Sequence, residues 1–309
     1  MRERAGARRT VRPRWPWVLP FVPALALAAQ PARTDTAALR RRLDAVVASH
    51  RGTVGYAIHN LDTGERLERL GDRPFPTASL IKVPILVSLM QQVEAGTLSL
   101  ADPVSWSKLD QVGGAGVLHL FRPGGTLALG DLAALMIATS DNSATNLVLD
   151  KVGIRQVWTD MEARGLPRTK VFAKVFKRAT TSVAMDSSAA YGLGVSTPNE
   201  MARLFALIAD GRAVSPAADS VMRAMLGENQ DMEMLQRGAG GIPAAHKTGA
   251  VDQSRTECTL WPLRGRVVAC VFTTGNADQS YLPDAEPHVT MGRLAAAIVA
   301  AWAPAPRAP

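Results

Sequence analysis

Past residue 35 the apolar positions of the chain change period twice, and the changes divide it into three parts. Helical spacing marks residues 36–50 (TAALRRRLDAVVASH), with arginines on the outer face. The segment 53–60 (TVGYAIHN), the turn LDTG and 65–70 (ERLERL) then predict strand, turn and strand. A long middle part is mostly helical: 79–95, closed by Gly96, then 129–140, 142–153, 154–165, 198–211 and 216–226. After it, IPAAHKTGA, TECTLWPL and RVVACVFTTG predict three strands, the last two forming a hairpin broken at Pro262–Gly265. The closing helix EPHVTMGRLAAAIVAAW puts Leu294, Ile298 and Trp302 on one face, and the tail 303–309 (APAPRAP) has a disordered composition. Strands at both ends with helices between them predict an α/β fold of α+β type. One antiparallel five-stranded sheet is assembled from both termini and flanked by terminal helices, with an all-helical lobe inserted. The expected boundaries are a sheet lobe over 36–75 and 240–302 and a helical lobe over 76–239, with a site in the cleft between them.

Charge changes this picture little. The chain carries +8 overall, but residues 1–14 hold six arginines against one acid, leaving 29 basic and 26 acidic residues in the rest. A nucleic-acid groove is therefore not indicated. The arginines precede the apolar run WPWVLPFVPALALAAQPA, which is short for a membrane span and contains Pro16, Pro20 and Pro23. Ala26-Leu27-Ala28 fits a signal-peptidase site, so residues 1–28 are expected to be an export signal and the mature protein periplasmic or secreted, with no stable membrane span. Only Cys258 and Cys270 are present; a disulfide across the hairpin and two buried thiols both fit. The five histidines are scattered, and neither a metal nor a cofactor is expected.

Three short elements could carry chemistry: Ser79-Leu80-Ile81-Lys82, Ser140-Asp141-Asn142 and Lys247-Thr248-Gly249. Singly, each has an ordinary use. A Ser and a Lys three apart recur by chance, Ser-Asp-Asn is good helix-capping chemistry, and Lys-Thr-Gly can simply end a strand. In this order, separated by 61 and 107 residues, they resemble the penicillin-recognising serine enzymes, specifically the class A β-lactamase branch. The resemblance covers about residues 36–302, and GVSTPNEMARLF extends it beyond the three motifs.

That resemblance implies a role for each residue. Ser79 would be the nucleophile, with its own N–H and that of Ala250 as the oxyanion hole. Lys82 would act as base if neutral, which burial and a neighbouring Lys247 cation both favour. Ser140 would pass a proton to the departing nitrogen, and Asn142 would hold the substrate amide and orient Lys82. Lys247 and Thr248 would bind a substrate carboxylate, and Gly249 would let substrate lie along the strand as an added edge. Arg255 is a candidate second carboxylate partner, about one residue from the family's usual arginine; His246 should point to the opposite face of its strand and is read as structural. One element of the family is missing. Class A enzymes carry Glu-x-x-Leu-Asn between Ser-Asp-Asn and the threonine-proline helix, whereas Leu166–Pro198 contains no glutamate. Its only acid is Asp186, set against Arg168, Lys170, Lys174, Lys177 and Arg178. The expectation is a monomeric serine hydrolase that opens a β-lactam through a Ser79 acyl-enzyme and releases it slowly. The alternatives are a D-alanyl-D-alanine carboxypeptidase or other cell-wall peptide amidase, and a penicillin-binding sensor without turnover. The ligand in each case is a β-lactam or a short cell-wall peptide with a free carboxylate.

Overall fold

The computed structural model describes residues 33–303; the expected export signal, 1–28, and the expected tail after Ala303 lie outside the described residues. Helix α1 (Thr36–Ala48) leads into β1 (Thr53–Asn60) and β2 (Arg66–Arg69). The middle of the chain supplies α2 (Lys82–Glu94), α3 (Leu129–Ala138), α4 (Asn142–Val152), α5 (Ile154–Ala163), α6 (Pro198–Ala209) and α7 (Pro216–Gly227). It then returns as β3 (Ala245–Val251), β4 (Ser254–Leu263), β5 (Gly265–Thr274) and α8 (Glu286–Trp302). The sheet has the order β2-β1-β5-β4-β3, and every neighbouring pair is antiparallel. Strands from both ends of the chain meet where β1 pairs with β5, so β3 becomes a sheet edge.

Both faces of the sheet are covered, which explains why β5 reads as an unbroken apolar run. Side chains alternate between faces along a strand. Val267, Ala269 and Val271 pack with Leu39 and Leu43 of α1 and with Leu294, Ile298 and Trp302 of α8. Val268, Cys270 and Phe272 turn to the other face, into the core that also holds Leu86 of α2, Val148 of α4 and Phe205 of α6. Cys258 and Cys270 are opposite each other in the β4–β5 register, with Cα atoms 4.1 Å apart, and are joined as a disulfide. Of the two states the sequence left open, the bridged one is present.

Helix starts follow local chemistry. Thr197 and Ser215 cap α6 and α7, their hydroxyls accepting from Glu200 N and Ala218 N, each with proline in the first turn. The start of α2 differs from expectation. Instead of a helix from residue 79, a 3-10 turn covers Ala78–Ile81 and the α-helix begins at Lys82. Pro84 is the reason: it has no N–H to give to the Leu80 carbonyl, but in the first turn of a helix starting at Lys82 that N–H would have no partner anyway.

Candidate active site

The nucleophile candidate sits on a strained turn. A small ladder of Phe75–Pro76, Gly194–Ser196 and Lys170–Val171 delivers the chain to it, and Thr77 N donates to Gly194 O at 3.0 Å. Ala78 then adopts φ 46°, a left-handed conformation unusual for a residue with a Cβ. Ser79 follows, half-exposed, on the wall of a cleft of about 270 Å³. The back of the turn rests on the edge strand β3. A Cβ added to Gly249 would lie 2.4 Å from Thr77 O and 2.8 Å from Leu80 N, and Thr256 Oγ1 donates to Thr77 O at 2.7 Å. Glycine is therefore required at 249 to seat the nucleophile turn, a packing role that the sequence did not show. Gly249→Ala should lower Tm, at about 1–3 kcal/mol of overpacking, and slow acylation of Ser79 together with it. Thermal melts and acylation rates of the variant check this; an unchanged pair would show that the turn does not depend on the close approach.

One 3-10 turn separates Ser79 from Lys82, and three residues per turn place the two on one side of it. Lys82 is fully buried, and its Nζ donates to Ser140 O at 2.6 Å, Asn142 Oδ1 at 3.0 Å and Ser140 Oγ at 3.2 Å. Among the described residues none of its hydrogen bonds goes to Ser79 Oγ. A carbonyl and an amide oxygen can only accept, so a neutral Lys82 gives them its two hydrogens and keeps its lone pair for a hydroxyl. The orientation of Asn142 is fixed independently, because its Nδ2 donates to Gly113 O at 3.0 Å. Ser140 joins α3 to α4 at φ 55°. The next residue performs the expected capping: Asp141 Oδ1 accepts from Ala144 N, and Oδ2 accepts from Val117 N and Leu118 N, both at 2.7 Å. Ser-Asp-Asn is thus a helix cap and a lysine clamp in three consecutive residues.

Lys247 is the second fully buried lysine. Burial pushes its pKa down to about 8, against the opposing pull of Asp231 and Glu257. For Lys82, burial first and the Lys247 charge second hold the amine well below the ordinary lysine range. No carboxylate pairs with either lysine among the described residues. Ala250 lines the cleft with Ser79 and Asn142, whereas Thr248 is buried opposite Glu257 in the β3–β4 register. His246 points away as expected, its Nδ1 2.8 Å from Glu257 Oε1 in a buried pair. Arg255 does not fit its expected role. It is fully buried, with Nε on His288 Nε2 at 3.1 Å, Nη2 on Ser280 O at 2.7 Å, and its guanidinium 4.4 Å from the Tyr281 ring. Its strand neighbour Thr256 faces the nucleophile turn, so Arg255 necessarily faces the terminal helices.

The far wall of the cleft comes from residues that sequence motifs did not mark. Ala173, Lys174, Val175, Phe176, Arg178, Gly192 and Leu193 line it. Asn146 holds this segment by the backbone, with Oδ1 accepting from Val175 N at 2.8 Å and Nδ2 donating to Val175 O at 3.1 Å. The signal for Asn146 was its place one helical turn after Asn142, on the same face of the helix. No carboxylate lines this cleft, and Val175 is among the residues that do. Asp186 is exposed on a short helix, Met185–Tyr191, and does not line the cleft. Phe176 has φ 56° and is 74% exposed. Four non-glycine residues have positive φ among the described residues; two of them, Ala78 and Phe176, line this cleft, and a third, Ser140, holds Lys82. Strain concentrated in this way marks functional sites. A larger cleft of about 540 Å³, between β1, β2 and α6, contains no buried lysine and no serine.

Comparison with known proteins supplies the family. The model of the β-lactamase enzyme family matches residues 38–302. The chain belongs to that family. Within it, β-lactamase AER-1 of Aeromonas hydrophila is 25% identical over 237 residues, 74% of this chain and 75% of that enzyme. A β-lactamase of Rhodobacter capsulatus is 32% identical over 141 residues, 42% of this chain and about half (48%) of that enzyme. Among solved structures, the β-lactamase of Sphaerobacter thermophilus DSM 20745 superposes with a TM-score of 0.74 at 28% identity, covering 86% of this chain and 97% of that one. PBP-A superposes with a TM-score of 0.75 at 25% identity, covering 88% and 97%. The β-lactamase-family fold expected from the sequence is the fold observed.

Proposed function

We propose that the protein is an exported serine hydrolase that opens β-lactams through an acyl-enzyme on Ser79 and frees the product slowly. The observation that carries the reading is the pair of buried lysines, neither paired with a carboxylate among the described residues, behind an accessible serine. Burying cations without partners is costly, and the cost is retained where it sets reactivity. In the reaction, Ser79 Oγ attacks the lactam carbonyl carbon while Lys82 Nζ takes the hydroxyl proton. The carbonyl oxygen becomes negative between the N–H groups of Ser79 and Ala250. The C–N bond then breaks, and the proton travels from Lys82 through Ser140 Oγ, 3.2 Å away, to the leaving nitrogen. Lys247, with Thr248 beside it, attracts the carboxylate of the substrate. Water must later cleave the ester, and Val175 supplies no base for it.

A variant of the structural neighbour PBP-A is described as an acyl-enzyme complex with penicillin G. The test is stopped-flow with a chromogenic cephalosporin. The reading expects a burst of about one equivalent followed by slow turnover; linear turnover without a burst contradicts slow release, and no reaction at all contradicts the hydrolase. Asp186→Asn should leave the slow phase unchanged, because Asp186 stands outside the cleft. A slower second phase in that variant, measured in the same assay, would make Asp186 the water's base.

A further inference from the structure

The cleft beside Ser79 holds more specific chemistry than acyl transfer requires. With Lys247 and Thr248 taking the carboxylate on the leaving-group side, as proposed above, the wall from Ala173 to Arg178 is the part of the cleft left for the other arm of the acyl donor. Most of that wall is apolar, made by Ala173, Val175, Phe176, Leu193 and, opposite, Val251. Its two charged residues are both cations, Lys174 and Arg178, and no carboxylate lines the cleft. The two cations are not equivalent. Lys174 Nζ is ion-paired with Asp150, outside the cleft. Arg178 makes no ion pair among the described residues, and its hydrogen bond there, to Ser188 O, is long at 3.4 Å. An apolar slot that carries an unneutralised guanidinium favours a ligand that is largely hydrophobic and bears an anionic group. The geometry of Phe176 supports the slot: its left-handed backbone, unfavourable for an aromatic residue, holds the ring exposed on the rim instead of packed away.

Resting on the acyl-enzyme reading above, we infer that the site selects acyl donors whose acyl arm carries its own anionic group, a second one besides the carboxylate met by Lys247, and that Arg178 recognises it. The recognised class is a dianionic β-lactam or a peptide with an acidic side chain next to the scissile amide.

Two penicillins that differ by one carboxylate isolate the effect: one with a phenylacetyl arm and one with a phenylmalonyl arm. Acylation of Ser79, followed by intact mass, should be at least about tenfold faster per unit concentration for the phenylmalonyl compound at low salt. The ratio should shrink with added salt, because the attraction is screened. Arg178→Gln, checked for an unchanged melting curve, should bring the ratio close to one. Equal rates in the native protein, or a ratio that survives Arg178→Gln, overturn the inference. If neither compound acylates Ser79, the acyl-enzyme reading fails and the slot is still measurable. Calorimetric titration with phenylmalonate against phenylacetate should then show tighter binding of the dianion by the native protein and equal binding by Arg178→Gln; equal binding by the native protein overturns the inference on its own.

Discussion

Val175→Glu should shorten the life of a penicilloyl adduct by about 10²–10⁴, the usual contribution of a positioned general base. The expectation follows from position. Val175 lines the cleft with Ser79, and Asn146 grips its backbone on both the N–H and the carbonyl side. A side chain grown from that site therefore starts from a fixed backbone and meets the cleft that water must enter. Valine offers the water no acceptor, and glutamate offers one within a cleft lined by Arg178, whose charge favours the ionised carboxylate. The measurement is adduct lifetime by mass spectrometry after excess penicillin is removed. An unchanged lifetime, in a variant that melts like the native protein, would mean that a carboxylate at this position does not govern release.

Lys82→Gln should slow acylation by a similar factor, about 10²–10⁴, without dismantling the site. Glutamine can still donate to one of the acceptors that Lys82 serves, so the helix cap at Asp141 and the amide of Asn142, tied to Gly113, keep their places. What it lacks is a basic lone pair. The same logic gives a pH profile. Lys82 has a lowered pKa, so its amine is neutral above that pKa and acylation is lost as the pH falls through it. Lys247, lowered to about 8, is charged below that value, so attraction for the substrate carboxylate is lost as the pH rises past it. The native rate should therefore rise from the acid side and fall above about pH 8, and Lys82→Gln should flatten the acid limb alone. Stability moves the other way on the alkaline side. Between about 8 and 10.5 the unfolded chain holds a proton on Lys247 that the folded chain has released, so this group's contribution to stability grows with pH. A native acid limb that persists in Lys82→Gln would assign it to another group.

The parts of this site legible in the sequence are those whose roles depend on local spacing. Ser79 and Lys82 lie one turn apart, Ser140-Asp141-Asn142 is a cap wherever it starts a helix, and the sheet followed from strand periods at both ends. The parts that were not legible depend on tertiary contact. Gly249 reads as a strand residue next to a substrate, and only the approach of Thr77 O shows that it seats the nucleophile turn. Arg255 carried the right charge at nearly the right place, but in a strand a shift of one residue reverses the face, and Arg255 meets His288 and Tyr281 instead of the cleft. Residues 166–198 have neither helical nor strand period over any useful length. Their path is set by Asn146, by Gly194 accepting from Thr77 and by two-residue ladders, so no pattern announces that Val175, Phe176 and Arg178 line the site and Asp186 does not.

Intact mass of the purified protein, taken seconds to hours after mixing with a penicillin, tests the central claim most directly. The account predicts a single added penicillin mass, mapped to the peptide containing Ser79, absent from Ser79→Ala and persisting long after free drug is removed. A folded native protein that stays at its own mass with every β-lactam tried, or an adduct retained by Ser79→Ala, contradicts it.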